Sequence, residues 1–87
     1  MLTAIQCKMA RVALNWGVRD LAKAADIAAN TVSRFENGRN EPNTLTLKAM
    51  KAAFEAAGVL FIDADETAGA GVRLKQSSGH DVRVKEA

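Results

Sequence analysis

The chain has 87 residues, enough for one small domain with a modest hydrophobic core. It is rich in alanine, has one proline and lacks tyrosine, which favours helices because alanine loses no side-chain entropy in a helix. No apolar run approaches the roughly 18 residues of a membrane span, and Lys8 interrupts the first apolar stretch, so we expect neither a membrane segment nor a signal peptide. The single cysteine, Cys7, excludes an internal disulfide and predicts a cytoplasmic protein, with Cys7 in the core.

Charge is unevenly distributed along the chain, although the net charge is only +2. Residues 1–52 carry eight basic and four acidic side chains, whereas residues 53–87 carry four basic and six acidic ones. The basic part is the one expected to meet a polyanion such as nucleic acid. Charge alone leaves the alternative of ordinary solvated surfaces open.

The first two predicted helices follow each other closely. Residues 3–15 show apolar positions at spacings of three and four, and Thr3 is a suitable N-cap. Gly17 interrupts this pattern, and a short second helix is predicted over residues 18–25. The side chains predicted to lie on the inward faces are Cys7, Ala10, Arg11 and Leu14 in the first helix and Val18, Leu21, Ala22 and Ala25 in the second.

A tight turn at Asp26-Ile27 leads to a third helix, predicted over residues 28–37 with Val32 and Phe35 facing inward. Gly38 is placed to end it, because a left-handed conformation is common just after a helix. A fourth helix is predicted over residues 45–57. Its N-cap is Asn43 or Thr44, and its apolar stripe consists of Leu47, Met50, Phe54 and Ala57.

The pattern changes after the fourth helix. Val59–Ile62 is a short run of strand formers, and Gly71–Lys75 alternates apolar and polar residues, so a β-hairpin with a long acidic loop is predicted. The predicted organisation is a helical core over residues 1–58, a hairpin extension over 59–76 and a flexible tail over 77–87.

Two short helices joined by a tight turn, with the small Ala22 in the first, are typical of a helix-turn-helix. The run Asn30-Thr31-Val32-Ser33-Arg34-Phe35-Glu36-Asn37-Gly38 resembles the recognition helix of the lambda-repressor-like, or xenobiotic-response-element, family. Residues 6–16, 52–62 and 71–74 are similar to the first helix, fourth helix and β extension of a common bacterial branch. The resemblance implies a mainly α fold: a four-helix core followed by a short C-terminal β-hairpin in place of the usual fifth helix.

The same resemblance implies a transcriptional regulator that binds specific sequences of double-stranded DNA, with repression or autoregulation favoured over activation. Side chains early in the third helix and one turn later would face the bases, with Asn30 suited to adenine and Arg34 to guanine or a phosphate. The implied base-contacting residues are Ala29, Asn30, Ser33 and Arg34. The implied phosphate-contacting residues are Val18, Arg19, Thr31, Asn37, Arg39 and Asn40.

The start of the second helix enters this set because its backbone N–H groups, around Gly17, are expected to be free for a phosphate. For Arg19, Lys23 and Arg39 the alternative is solvated surface charge. The resemblance also implies that Arg11 pairs with Glu36, which would join the first helix to the recognition helix.

Three positions depart from the family's usual residues, and they make the base-reading surface sparser than normal. Asp26 replaces a glycine, Ala28 replaces a capping serine or threonine, and Gly17 replaces a polar cap. Two other functions remain open: a protein-interaction module on the same fold, and an antitoxin that binds both DNA and a toxin. No cofactor, metal site or enzymatic activity is predicted, because His80 has no ligand pattern and no catalytic constellation is recognisable.

A homodimer is predicted through Val59–Ile62 and Val72–Lys75, because a lone hairpin has two open edges and is marginal in water. The contact would bury Leu60, Ile62, Val72 or Leu74. The alternative is that the hairpin folds back on its own helices.

Overall fold

The computed structural model describes residues 1–76, and the predicted tail over 77–87 lies outside these described residues. Four helices are followed by two antiparallel strands, as predicted, and each helix bound falls within two residues of its predicted position. The elements in chain order are α1 (Ala4–Ala13), α2 (Val18–Ala25), α3 (Ala29–Glu36), α4 (Thr44–Ala56), β1 (Val59–Ile62) and β2 (Gly71–Leu74).

Local hydrogen bonds and backbone angles explain where the helices begin and end. Thr3 caps α1, and Asn43 rather than Thr44 caps α4 through a 2.8 Å bond from the Thr46 amide. Asp26 ends α2 with a left-handed backbone (φ 57°), which aspartate tolerates better than most residues. Gly38 lies just beyond α3 with φ 72°, the conformation predicted for it.

The core lies between the elements, where α2 packs against α3 and α4 and where α1 packs against α3 and β2. Leu21, Val32, Met50 and Phe54 are fully buried there. The rings of Trp16 and Phe54 stack with centroids 5.8 Å apart, and aromatic pairs add stability beyond the area they bury. Ala57 is a correction to the predicted stripe of α4: it is exposed because the helix ends at Ala56.

The hairpin packs one of its faces against its own helices. Val59 pairs with Leu74 and Phe61 with Val72, so these four side chains share the face that meets the core. This corrects the prediction that Val72 or Leu74 enters a dimer contact, because both already pack within the chain. The opposite face keeps Leu60 and Ile62 in solvent, with 44% and 43% of their surface exposed.

Candidate nucleic-acid interface

The unit formed by α2, its turn and α3 is compact because the turn contains few residues. Asp26 takes the left-handed conformation, and the amide of Ile27 donates to the carbonyl of Ala22 at 2.9 Å. Ala22 is 6% exposed, and its small side chain lets α3 cross α2 closely. The turn therefore fixes the angle at which α3 leaves α2.

Helix α3 has an inner and an outer face. Val32, Phe35 and Glu36 are buried on the inner face. Positions 30, 33, 34 and 37 follow the spacing of one helix face, and there Asn30, Arg34 and Asn37 are exposed while Ser33 is half-buried. The outer face therefore presents an amide, a hydroxyl and a guanidinium, the groups that read base edges in a major groove.

The other predicted contact residues lie around this outer face. Ala29, at the first turn of α3, is half-buried and packs partly against the core, so its methyl group is less available than predicted. Thr31 is half-buried on the same turn. Arg39 and Asn40 are exposed just beyond α3, and the Arg39 amide donates to the Arg34 carbonyl at 2.8 Å, which holds this segment against the helix end.

The start of α2 is less open than predicted. The amide of Gly17 donates to the carboxylate of Asp20 at 2.7 Å, so this N–H is already occupied. Val18 is half-buried and Arg19 is exposed, and the first amides of a helix have no partner within the helix. A phosphate at this end would meet the amides of Val18 and Arg19 and the Arg19 side chain, with the negative charge of Asp20 close by.

An ion pair joins α1 to the inner face of α3. The Arg11 guanidinium donates to Glu36 through Nε and Nη2, each at 2.7 Å, and its Nη1 donates to the Trp16 carbonyl at 3.0 Å. The Cys7 thiol donates to Glu36 Oε2 at 3.0 Å. The Glu36 side chain is only 4% exposed, so Arg11 is a structural residue that orients α3 from behind.

Burial and hydrogen bonding shift the titration of this group of side chains. Burial opposes the ionisation of Glu36, but the hydrogen bonds from Arg11 and Cys7 outweigh it, and the pKa of the carboxyl falls below its usual value. The hydrogen bond to Glu36 raises the pKa of Arg11. Burial, with the neighbouring carboxylate, raises the pKa of the Cys7 thiol well above its usual range.

A family model described as "Helix-turn-helix" matches residues 8–56, which run from within α1 to the end of α4. The chain belongs to this helix-turn-helix family. It is the lambda-repressor-like, xenobiotic-response-element family of DNA-binding regulators, as the residues of α3 predicted. No curated protein matches the chain. Within the described residues, no helix has the length and apolar character needed to cross a membrane.

One side chain of this helix-turn-helix protein has contacts that sequence reasoning missed. Gln6 is 1% exposed, and its amide donates to two hairpin carbonyls, those of Ile62 and Gly71. The spacing of Thr3 and Gln6 is that of a capping box, which is a recognisable signal for the cap. The two bonds to the hairpin carry no signal in sequence, because they join residues 56 and 65 positions apart.

Proposed function

We propose that this protein regulates transcription by binding a specific sequence of double-stranded DNA as a homodimer, and that it acts as a repressor or autoregulator. One observation supports this above all others. The outer face of α3 is polar and solvent-exposed, while its inner face is fixed by buried apolar side chains and by the pair of Arg11 with Glu36. A helix held in this way enters the major groove without losing much conformational freedom.

In the proposed complex, base discrimination comes from the outer face of α3. Arg34 donates to guanine O6 and N7, and Asn30 forms the equivalent pair of bonds with adenine. Ser33 lies between them on the same face, and Ala29 contributes at most a methyl contact at the edge. Because only Asn30 and Arg34 on this face can form paired hydrogen bonds with a base, the expected site is short for each subunit.

Phosphate contacts flank this base-reading face at both ends in the proposal. On one side, the Val18 and Arg19 amides and the Arg19 side chain meet one strand. On the other side, the DNA backbone meets three exposed residues that follow one another closely in the sequence, Asn37, Arg39 and Asn40. Thr31 is placed on the first turn of α3, within the groove. These contacts orient the protein without reading sequence, so their loss weakens binding to all DNA alike.

The proposed dimer forms through the outer face of the hairpin, where Leu60 and Ile62 are exposed. The two ends of the hairpin carry opposite charges. Exposed acids lie in the loop after β1, at Asp63, Asp65 and Glu66, whereas Arg73 and Lys75 are exposed towards the other end. A two-fold axis perpendicular to the strands would place the acidic loop of one copy against the basic end of the other. This charge complementarity favours a second copy of the same chain as the partner.

DNA selection tests the proposed binding function. Duplexes bound by the full chain are selected from a random pool, and the affinity for the winner and for a scrambled duplex is measured across salt concentrations. We expect one inverted repeat to be enriched, with a log–log salt slope that scales with the number of phosphates contacted. Enrichment of no sequence, or a scrambled duplex bound as tightly as the winner, would show that the chain does not read DNA.

Light scattering tests the dimer. The double variant Leu60→Lys with Ile62→Lys should reduce the mass to that of one 9.3 kDa chain. Leu45→Lys is the matched control, because Leu45 is a leucine on α4 with 78% of its surface exposed. The control should keep the dimer mass. A wild-type chain that stays monomeric at micromolar concentration, or a hairpin variant that stays dimeric, contradicts the proposed interface.

A further inference from the structure

The buried side chain of Gln6 uses its polar atoms to join three parts of the chain. Its Oε1 accepts from the Thr3 amide at 3.0 Å. Its Nε2 donates to the carbonyl of Ile62 and to the carbonyl of Gly71, each at 3.1 Å. Ile62 and Gly71 face each other in the last pair of the hairpin before its loop. One amide group therefore binds both strands at the same level.

The hairpin is fixed differently at its two ends. At the end next to α4, Val59 is fully buried and the Lys75 amide donates to the Gly58 carbonyl at 2.9 Å. Towards the loop, the inward-facing Phe61 and Val72 are only half-buried. Apolar contact is non-directional, whereas two hydrogen bonds from one fixed amide define a position. At the loop end Phe61 meets the Phe54 ring edge-on, with ring centroids 6.0 Å apart, and Gln6 adds the two side-chain hydrogen bonds that define the tilt.

Helix α1 carries both this contact and the contact to the recognition helix. Gln6 holds the hairpin, and Arg11, five residues further on, holds Glu36 of α3. The two residues are about 7.5 Å apart along the axis of a rigid helix. Helix α1 thus connects the proposed dimerisation element, through Gln6 in its first turn, to the proposed DNA-reading element, through Arg11 in its last turn.

We propose that Gln6 is a positioning residue that sets the distance between half-sites which the dimer accepts. This inference rests on the proposed function, in which the hairpin joins two subunits. A two-fold dimer places its recognition helices in successive major grooves only if each hairpin leaves its own helices at a fixed angle. Because of the two-fold symmetry, a tilt of the hairpin in one subunit is repeated in the other. Loosening the Gln6 contact therefore widens the range of distances between the two recognition helices.

Two variants separate this role from the helix cap. Gln6→Glu keeps the length of the side chain and the acceptor for the Thr3 amide, but removes both donors to the hairpin. Thr3→Ala is the matched control. It removes the hydroxyl that accepts from the backbone N–H of Gln6, and it leaves both side-chain N–H donors of Gln6 in place. Gln6→Met repeats the loss of donors without adding a charge.

Binding is measured to duplexes with two selected half-sites separated by spacers that vary by one base pair, and to a single half-site. We expect the wild type and Thr3→Ala to favour one spacing. In Gln6→Glu and Gln6→Met, the ratio of affinity for the favoured spacing to affinity for the other spacings should fall about tenfold, which is the equivalent of one or two hydrogen bonds. Binding to a single half-site should be unchanged. A wild type with no spacing preference would refute the proposed function, in which a homodimer binds two half-sites at once. A sharp wild-type preference that persists in both Gln6 variants would refute the role of Gln6 alone.

A second measurement needs no DNA, and its first part uses the wild-type chain alone. In wild-type protein labelled with ¹⁵N, the Gln6 side-chain amide protons should exchange slowly and show contacts to the Gly71 backbone, because both protons are bonded in a buried site. Rapid exchange of these protons in the native chain would overturn the proposal. Where Gln6→Met folds, residual dipolar couplings of the hairpin and helices should fit separate orientations, whereas a single shared orientation would also overturn it.

Discussion

The two faces of α3 differ in burial and in hydrogen bonding. On the inner face, Val32 is fully buried and Glu36 is held by Arg11 and Cys7. On the outer face, within residues 1–76, the side chains of Asn30 and Arg34 are exposed and form no hydrogen bond with the protein. The comparison teaches that the stability of this helix and its proposed DNA reading are carried by different residues, which mutations can separate.

The largest expected effect comes from breaking the inner face. Arg11→Ala and Glu36→Ala should each lower the free energy of unfolding by about 3–5 kcal/mol, because each leaves a charge with poor compensation. The double variant should lose less than the sum of the two, since removing both partners leaves no orphaned charge. Urea unfolding of the four proteins of the cycle measures this. Strictly additive losses would mean that the two side chains stabilise the fold independently.

Removing only the charge of Glu36 should have a smaller effect that depends on pH. Glu36→Gln weakens charged hydrogen bonds and should cost about 2 kcal/mol near neutral pH. Because folding lowers the pKa of Glu36 below its ordinary 4.5, the stabilisation is complete above that pH and is lost as the pH falls further. Thermal unfolding from pH 7 downwards should show the wild type and variant converging. Glu41→Gln, at an exposed glutamate, should follow the wild type, and a constant gap for Glu36→Gln would contradict the assignment.

The outer face should respond in the opposite way, with binding changed and stability kept. Arg34→Ala should cost about 1–3 kcal/mol of binding to the selected duplex and relax the preference at one base position. Arg39→Ala is the comparison, and it should weaken binding to all duplexes alike and reduce the salt slope. Competition binding with single-base variants measures both. Unchanged discrimination in Arg34→Ala would remove it from the base-reading set.

The smallest expected effect is a gain in affinity at the start of α2. Asp20→Asn keeps an acceptor for the Gly17 amide but removes a negative charge from the helix end where a phosphate is proposed. The change should tighten binding at low salt by about 0.3–1 kcal/mol, the usual size of a charge effect at a helix end. Glu55→Gln, at an exposed position on α4, should leave affinity unchanged. Equal or weaker binding by Asp20→Asn would place the phosphate elsewhere.

The features that could be predicted from the sequence are those that depend on residues close together in the chain. Helix bounds followed from Thr3, from the candidate caps Asn43 and Thr44 and from the spacing of apolar residues, and the tight turn was predicted at Asp26-Ile27. The alternation of β2 predicted two faces but could not say which face would meet the helices, because that depends on where the finished hairpin lies. The contacts of Gln6 were inaccessible for the same reason, since its carbonyl partners converge only in the folded chain. The base-reading residues came from family resemblance, as nothing within the chain constrains them.

The thiol of Cys7 gives this protein a built-in reporter of its own opening. It is the single cysteine of the chain, it is fully buried, and its proton is held by Glu36. Because its raised pKa suppresses the reactive thiolate, a thiol reagent can modify Cys7 only when the core around it opens, as when α1 separates from α3. The labelling rate at neutral pH therefore measures how often the contact between α1 and the inner face of α3 opens, without any engineered probe. Bound DNA should slow that labelling if it stabilises the closed arrangement.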